Sequence, residues 1–156
     1  MAKKIARLQR RTKQAVAKRK LTPKKSSSKK SVQIFHIKHE REEDFDAGLR
    51  SYAKYRDLAL ARATGGMVQA HVIRLLAPCD PKVVSKWHYH DVNLQFIYVL
   101  NGWSKNEFEG QGVHTMHKGA CWLQPPKIKH RVLDYSPDCE LLEVVLPADF
   151  DTVEFE

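Results

Sequence analysis

The residues best placed to do chemistry are the two histidines of Trp87-His88-Tyr89-His90. On a β-strand, residues two apart face the same side. His88 and His90 would then point together, with Tyr89 turned away. Two imidazoles on one face begin a site for a transition metal. An H-x-H pair alone is equally at home on a solvated surface. The sequence carries no Ser-His-Asp order, no phosphate-binding glycine loop and no H-E-x-x-H. Cys79, Cys121 and Cys139 form no C-x-x-C pair, which argues against a zinc ribbon or a disulfide scaffold and fits a reducing, cytoplasmic setting.

The elements that would position these histidines follow from charge and patterning. The 156 residues carry a formal net charge of +9, unevenly spread. Residues 1–31 hold 13 of the 27 Lys/Arg and none of the 18 Asp/Glu, so the remainder is net acidic. That arm has few apolar residues and is expected to be a disordered basic tail. Its partner, if it has one, would be nucleic acid or another acidic surface, or it would serve organelle targeting. No run reaches the roughly 20 apolar residues of a membrane helix. Residues 40–64 are expected to form one amphipathic helix, with Phe45, Leu49, Tyr52 and Leu60 on its apolar face, ended by Gly65-Gly66. Residues 32–66 would thus be a helical segment packed on a barrel spanning 67–156. From Met67 the pattern changes to short strand-like runs: 68–75, 95–100, 103–108, 113–116, 121–124, 131–135 and 141–146. Runs so closely spaced, with turns between, indicate an all-β sandwich or barrel. Asn101-Gly102 marks a two-residue hairpin turn. That turn would pair Leu100 with Trp103, Val99 with Ser104, Ile97 with Asn106 and Gln95 with Phe108.

Written out, the region around the histidines is H-x-H-x4-Q-x6-G, from His88 to Gly102, then G-x5-P-x4-H, from Gly119 to His130. This resembles the two motifs of the cupin superfamily over roughly residues 68–148. Lys82, Lys127 and Asp134 stand where that pattern usually has glycine, glycine and asparagine. The resemblance implies a double-stranded β-helix, the cupin jelly-roll, with one metal in its mouth. The implied ligands are His88, His90, His130 and the residue at Gln95, a position usually held by glutamate. Glutamine offers only a neutral amide oxygen. A three-His site with Gln would leave the ion its full charge, favour an anionic chelating substrate and provide no carboxylate base at that position. Gln95 would be a weak fourth ligand or a hydrogen-bonding partner behind the ligands, and Gln95→Glu is expected to tighten the metal. Iron(II) is the expected ion; manganese, nickel, cobalt and zinc are the alternatives.

With Gln95 facing the metal, strand alternation turns Ile97, Val99, Ser104, Asn106 and Phe108 inward. Val132 and Asp134 would follow His130 inward. The parity of His71 is ambiguous. His36, His39, His114 and His117 are expected to be structural or exposed, and Trp87, Trp103 and Trp122 to pack the core or an interface. Two functional readings remain. One is a mononuclear non-haem metalloenzyme, dioxygenase-like, acting on a small anionic or enol-type substrate. The other is a non-catalytic binding or sensor module for a metal or small ligand, its basic arm meeting an acidic partner or nucleic acid. Small cupins commonly pair through barrel edges, so the resemblance also implies a homodimer.

Overall fold

The computed structural model describes residues 32–155; the expected basic tail lies outside them. Eleven strands are formed, numbered here in chain order. They are β1 (Asp46–Ala47), β2 (Ala53–Asp57), β3 (Gln69–Leu75), β4 (His88–His90), β5 (Leu94–Asn101) and β6 (Trp103–Phe108). They continue with β7 (Gly112–His117), β8 (Cys121–Gln124), β9 (His130–Tyr135), β10 (Glu140–Leu146) and β11 (Thr152–Glu154). One sheet has the order β1-β2-β3-β10-β5-β8 and the other β11-β4-β9-β6-β7. From β3 to β6 the chain changes sheet at every strand, and it does so again from β7 to β11. All the pairings are antiparallel. This is the all-β jelly-roll expected. Among the described residues, no helix is long and apolar enough to cross a membrane.

Alternation within strands divides the interior into two ends. On β5 the buried residues are Gln95, Ile97 and Val99. They lie opposite Val145, Glu143 and Leu141 of β10. On β6 the buried residues are Ser104, Asn106 and Phe108. Val99, Leu141, Leu75, Tyr135 and Cys139 belong to an apolar cluster. Gln95, Gln124, His88 and His130 are also buried and form the polar end.

Three sequence expectations are corrected. First, residues 40–64 are not one helix. They form a short 3-10 turn (Glu42–Asp44), β1, β2 and a four-residue helix, Leu60–Ala63. β2 pairs with β3 from Ala53↔Leu75 to Asp57↔His71, covering an edge that would otherwise expose unpaired backbone groups. Ala53 and Arg56 are buried, whereas Leu49, on the supposed apolar face, is exposed. Gly48 lies directly against the Tyr55 ring, leaving no room for a side chain. Small alanines disguise a strand pattern as a helical one.

Second, Asn101-Gly102 does not close a hairpin ladder. β5 pairs with β10 and β8, and β6 with β9 and β7. The turn is instead a corner between sheets. Gly102 has φ +64°, and a Cβ there would collide with Ser136 Oγ. The inward faces expected of both strands survive because alternation belongs to a single strand; the four cross-strand pairs do not form. Third, Asp134 is exposed, not inward. β9 bulges: Lys105 is opposite Asp134, yet Asn106 is opposite Val132. The extra residue, Leu133, resets the parity, so Val132 and Tyr135 face in and the Asp134 carboxylate accepts from the Tyr135 backbone N–H.

Lys127, at a position where the motif resembled usually has glycine, has φ +62°. Its N–H donates to the His90 carbonyl at 3.2 Å, so the turn geometry is kept at the cost of a left-handed lysine. Lys127→Gly should therefore raise stability by up to about 1 kcal/mol, because a left-handed non-glycine residue carries roughly that strain. Urea unfolding checks this; a variant less stable than the parent would show that the lysine is unstrained.

Candidate metal centre

The site is built where two strands of one sheet meet. β4 has room for three residues, and its two histidines project together, as the H-x-H spacing predicts. His88 lies directly across from His130 on β9. The ring centroids of His88 and His130 are 4.2 Å apart, those of His88 and His90 5.2 Å, and those of His90 and His130 5.3 Å. One ring nitrogen from each falls within 4.8 Å of the others, close enough to share one ion.

The tautomers follow from the hydrogen bonds. A backbone carbonyl can only accept, so a ring nitrogen bonded to one carries the proton. His88 Nδ1 donates to Lys86 O at 3.0 Å and His130 Nδ1 to Ile128 O at 3.0 Å. Both therefore present a bare Nε2, the form that binds a metal. His90 Nδ1 lies 2.8 Å from Thr152 Oγ1 on β11, and Phe150 packs edge-on against the His90 ring. Burial pushes all three imidazoles from 6.5 down to about 4. All three rings are neutral throughout the physiological range.

Beside them runs a hydrogen-bonded relay whose direction is set at both ends. The Trp122 indole can only donate, and Nε1 does so to Gln124 Oε1 at 2.9 Å. Gln124 Nε2 then donates to Gln95 Oε1 at 2.8 Å and lies 3.2 Å from His130 Nε2. Gln95 Nε2 donates to Glu143 Oε1 at 2.6 Å. An ionised carboxylate can only accept, which fixes the Gln95 amide. His71 Nε2 meets the other oxygen, Oε2, at 2.6 Å, and Tyr55 packs edge-on against His71. Burial pushes the Glu143 carboxyl up. The His71 hydrogen bond and charge, with the Gln95 amide, outweigh that and hold it below the usual carboxylate range.

Of the four expected ligands, the structure converges His88, His90 and His130. The Gln95 oxygen accepts from Gln124 in this arrangement. A cavity of about 520 Å³ opens beside them, lined by Gln95, Ile97, Asn106 and Val132 among others. Val99, Ser104 and Phe108 face inward but are buried in the packing beneath it. Ser104 Oγ donates to Asn106 Oδ1 at 2.7 Å, which holds the Asn106 amide in place. His71 and Trp122 turn out to line the cavity. His114 is exposed, bonded to the Gln111 carbonyl, and Cys121 is exposed too.

Three residues escape sequence reasoning: Glu143, Gln124 and Arg50. Glu143 carries the clearest signal, a lone acid within the apolar run Leu141–Leu146, two residues from both Leu141 and Val145 and so on their inward face. It also alters the charge expected of the site. The carboxylate that Gln95 lacks stands next to it, on the neighbouring strand.

Residues 79–145 match a family model described as a cupin domain. No protein of curated function matches the sequence. Among solved structures, the chain is similar to the polyketide cyclase RemF from Streptomyces resistomycificus (TM-score 0.59, 17% identity, 78% of this chain and 87% of that one). KdgF from Halomonas sp. superposes with TM-score 0.54 at 18% identity, over 67% of this chain and 87% of that one. Oxalate decarboxylase from Bacillus subtilis does so with TM-score 0.57 at 15% identity, over 80% of this chain but only 34% of that one, so this chain spans about a third of that enzyme. Identities this low establish a shared fold and nothing finer. Together with the match over residues 79–145, they give the barrel of this chain the cupin fold.

Proposed function

We propose that this protein is a mononuclear metal-dependent cupin enzyme acting on a small anionic or enol-type organic molecule. The observation that carries this is the convergence of three neutral histidines, two buried and one half-buried, the two buried ones with their bare Nε2 fixed by backbone carbonyls. Such a donor set fits a divalent transition metal. His88, His90 and His130 would hold it, and a bound ion would act as a Lewis acid on a chelating oxygen substrate. Iron(II) is the first candidate, with manganese, nickel, cobalt and zinc behind it. The protein's own contribution is positioning. Ile128 O holds His130 from behind through Nδ1, and the Gln124 amide, held by Gln95, lies beside the His130 Nε2. Ile97, Val132 and Phe150 give the cavity apolar wall, and Asn106 adds an oriented amide. The adjacent Glu143 makes the site less positive than a Gln95-only reading implies. Gln95→Glu alone would set two carboxylates side by side, so the tighter metal binding expected from the sequence requires Gln95→Glu together with Glu143→Gln.

Elemental analysis of protein purified without chelator should find close to one transition metal per chain. His88→Ala and His130→Ala should each lose at least about tenfold in metal affinity, given the usual loss when a ligand is removed. Full stoichiometry in either variant would refute the site.

The metal-free protein should also be acid-sensitive. A folded histidine with a pKa of about 4 refuses the proton that its unfolded counterpart accepts below 6.5. The unfolded state then binds more protons, so stability is fully present above 6.5 and falls as the pH drops toward 4. Glu143, its carboxyl held below the ordinary 4.5, adds a further loss only at the acid end, below about 4.5. A fall of roughly 10 °C in Tm across that window is expected. A flat Tm would mean that the three rings are not buried in neutral form.

A further inference from the structure

We infer that Arg50 is the anion-binding residue of the cavity, and that its ligand is a small organic acid with a carboxylate beyond the group that reaches the histidines. Only the second contact rests on the proposed metal site; the grip on the carboxylate does not.

Arg50 lies in the connection between β1 and β2, and lines the same cavity as His88, His90 and His130. Its side chain is only 11% exposed. Nη1 donates to Glu154 Oε1 on β11. Nη2 is enclosed and has no hydrogen-bond partner. A buried N–H without a partner costs about 1–3 kcal/mol, and charged groups cost more, so such a nitrogen calls for an explanation. One other buried side-chain nitrogen among the described residues is in the same position, Arg56 Nε. That guanidinium lies over the Phe45 ring at 5.7 Å and is not part of the cavity wall. Arg50 alone brings an under-used guanidinium to the cavity.

The pairing with Glu154 suits a binding residue. Glu154 is 42% exposed and can turn to water at small cost, whereas Arg50 is enclosed and must stay. A ligand carboxylate entering the cavity can therefore take the place of Glu154 and also engage Nη2, two parallel bonds of the kind guanidinium and carboxylate favour. Arg50, His88, His90 and His130 line one cavity, so an acid held by Arg50 lies beside the histidine cluster. Glu143, the nearby interior carboxylate, is already bonded to His71 and Gln95 and does not compete for Arg50.

The test is isothermal titration of metal-free, full-length protein with malonate and succinate, each against its neutral diamide, for wild type, Arg50→Gln and Glu154→Gln. Wild type should prefer the diacid by about tenfold, as one charge-assisted bidentate contact would supply. Arg50→Gln should abolish that preference. Glu154→Gln, which releases Arg50, should tighten the diacid by about threefold. A residue that merely staples β11 to the β1–β2 connection would lower stability in both variants and leave the acid-to-amide ratio untouched. Equal affinity for acid and amide in wild type, including no binding of either, overturns the inference, as does a preference that survives Arg50→Gln. If Arg50→Gln fails to fold by circular dichroism, Glu154→Gln decides: unchanged or weaker diacid binding overturns it. Metal content, measured on the same preparations, keeps the two readings apart. Wild type that takes up metal without selecting acids refutes the role of Arg50 alone. Wild type that selects acids through Arg50 without taking up metal refutes the metal site alone.

Discussion

The site depends on one largely enclosed charge. Glu143 sits on the inward face of a strand that is otherwise apolar there, and taking a carboxylate out of water is costly unless it is fully bonded. His71 and Gln95 supply those bonds. Once Gln95 must donate to Glu143, its oxygen can only accept, Gln124 must donate to it, and the Gln124 oxygen must take the Trp122 proton. A single carboxylate thereby orients two amides across three strands, β10, β5 and β8, and brings the second amide against His130. Networks of this kind specify a unique arrangement when every member is satisfied. The apolar cluster beneath provides the rigid floor, and the relay gives the floor a direction.

The same charge bears on what the centre can accept. Three neutral imidazoles would leave a divalent ion its full charge. In this chain the nearest carboxylate is separated from the histidines by an amide that it has itself oriented. The arrangement differs from a direct carboxylate ligand in kind. The anion would contribute to the field of a bound ion without occupying a coordination position, which would leave positions for a chelating ligand. Arg50 and Glu143 then place opposite charges along the wall of one cavity, which favours a ligand with a defined orientation over one that binds in any sense.

Much of this was legible in the sequence because it depends on single strands. H-x-H on an extended segment faces one way whatever its neighbours do, and the inward positions of β5 and β6 follow from alternation alone. The runs from residue 68 onward coincide with strands to within a residue or two at each end. What failed depended on partners. Asn101-Gly102 has the composition of a hairpin, but two apolar inner faces can be buried only by facing each other from different sheets, so the turn becomes a corner. Asp134 was misplaced by one bulged residue, an error that parity propagates to everything after it. The helix expected over 40–64 rested on apolar spacing that also fits a short strand once Ala53 and Ala47 are counted as small. The edge of β3 decided between them. Glu143 was visible as a lone acid in an apolar run, but only the register of β10 against β5 brings it to Gln95.

The cavity mouth shows why a motif-bearing core is an incomplete description of such a site. The residues that match the family model, 79–145, include all three histidines and the relay from Trp122 to Glu143. They omit His71 and Tyr55, which hold the far end of the relay. They also omit Arg50, Phe150 and Thr152, which line the cavity, and Glu154, which accepts from Arg50. These come from the two flanks of the barrel, the β1–β2–β3 layer and β11, joined to each other through Arg50 and Glu154. The flanks carry the groups that a ligand meets after it has found the centre. A barrel that is shared across a superfamily supplies the place for an ion. In this chain, segments outside the motif add Arg50, Phe150 and Thr152 to the wall of the same cavity, and the proposed selectivity for what approaches the ion would reside there.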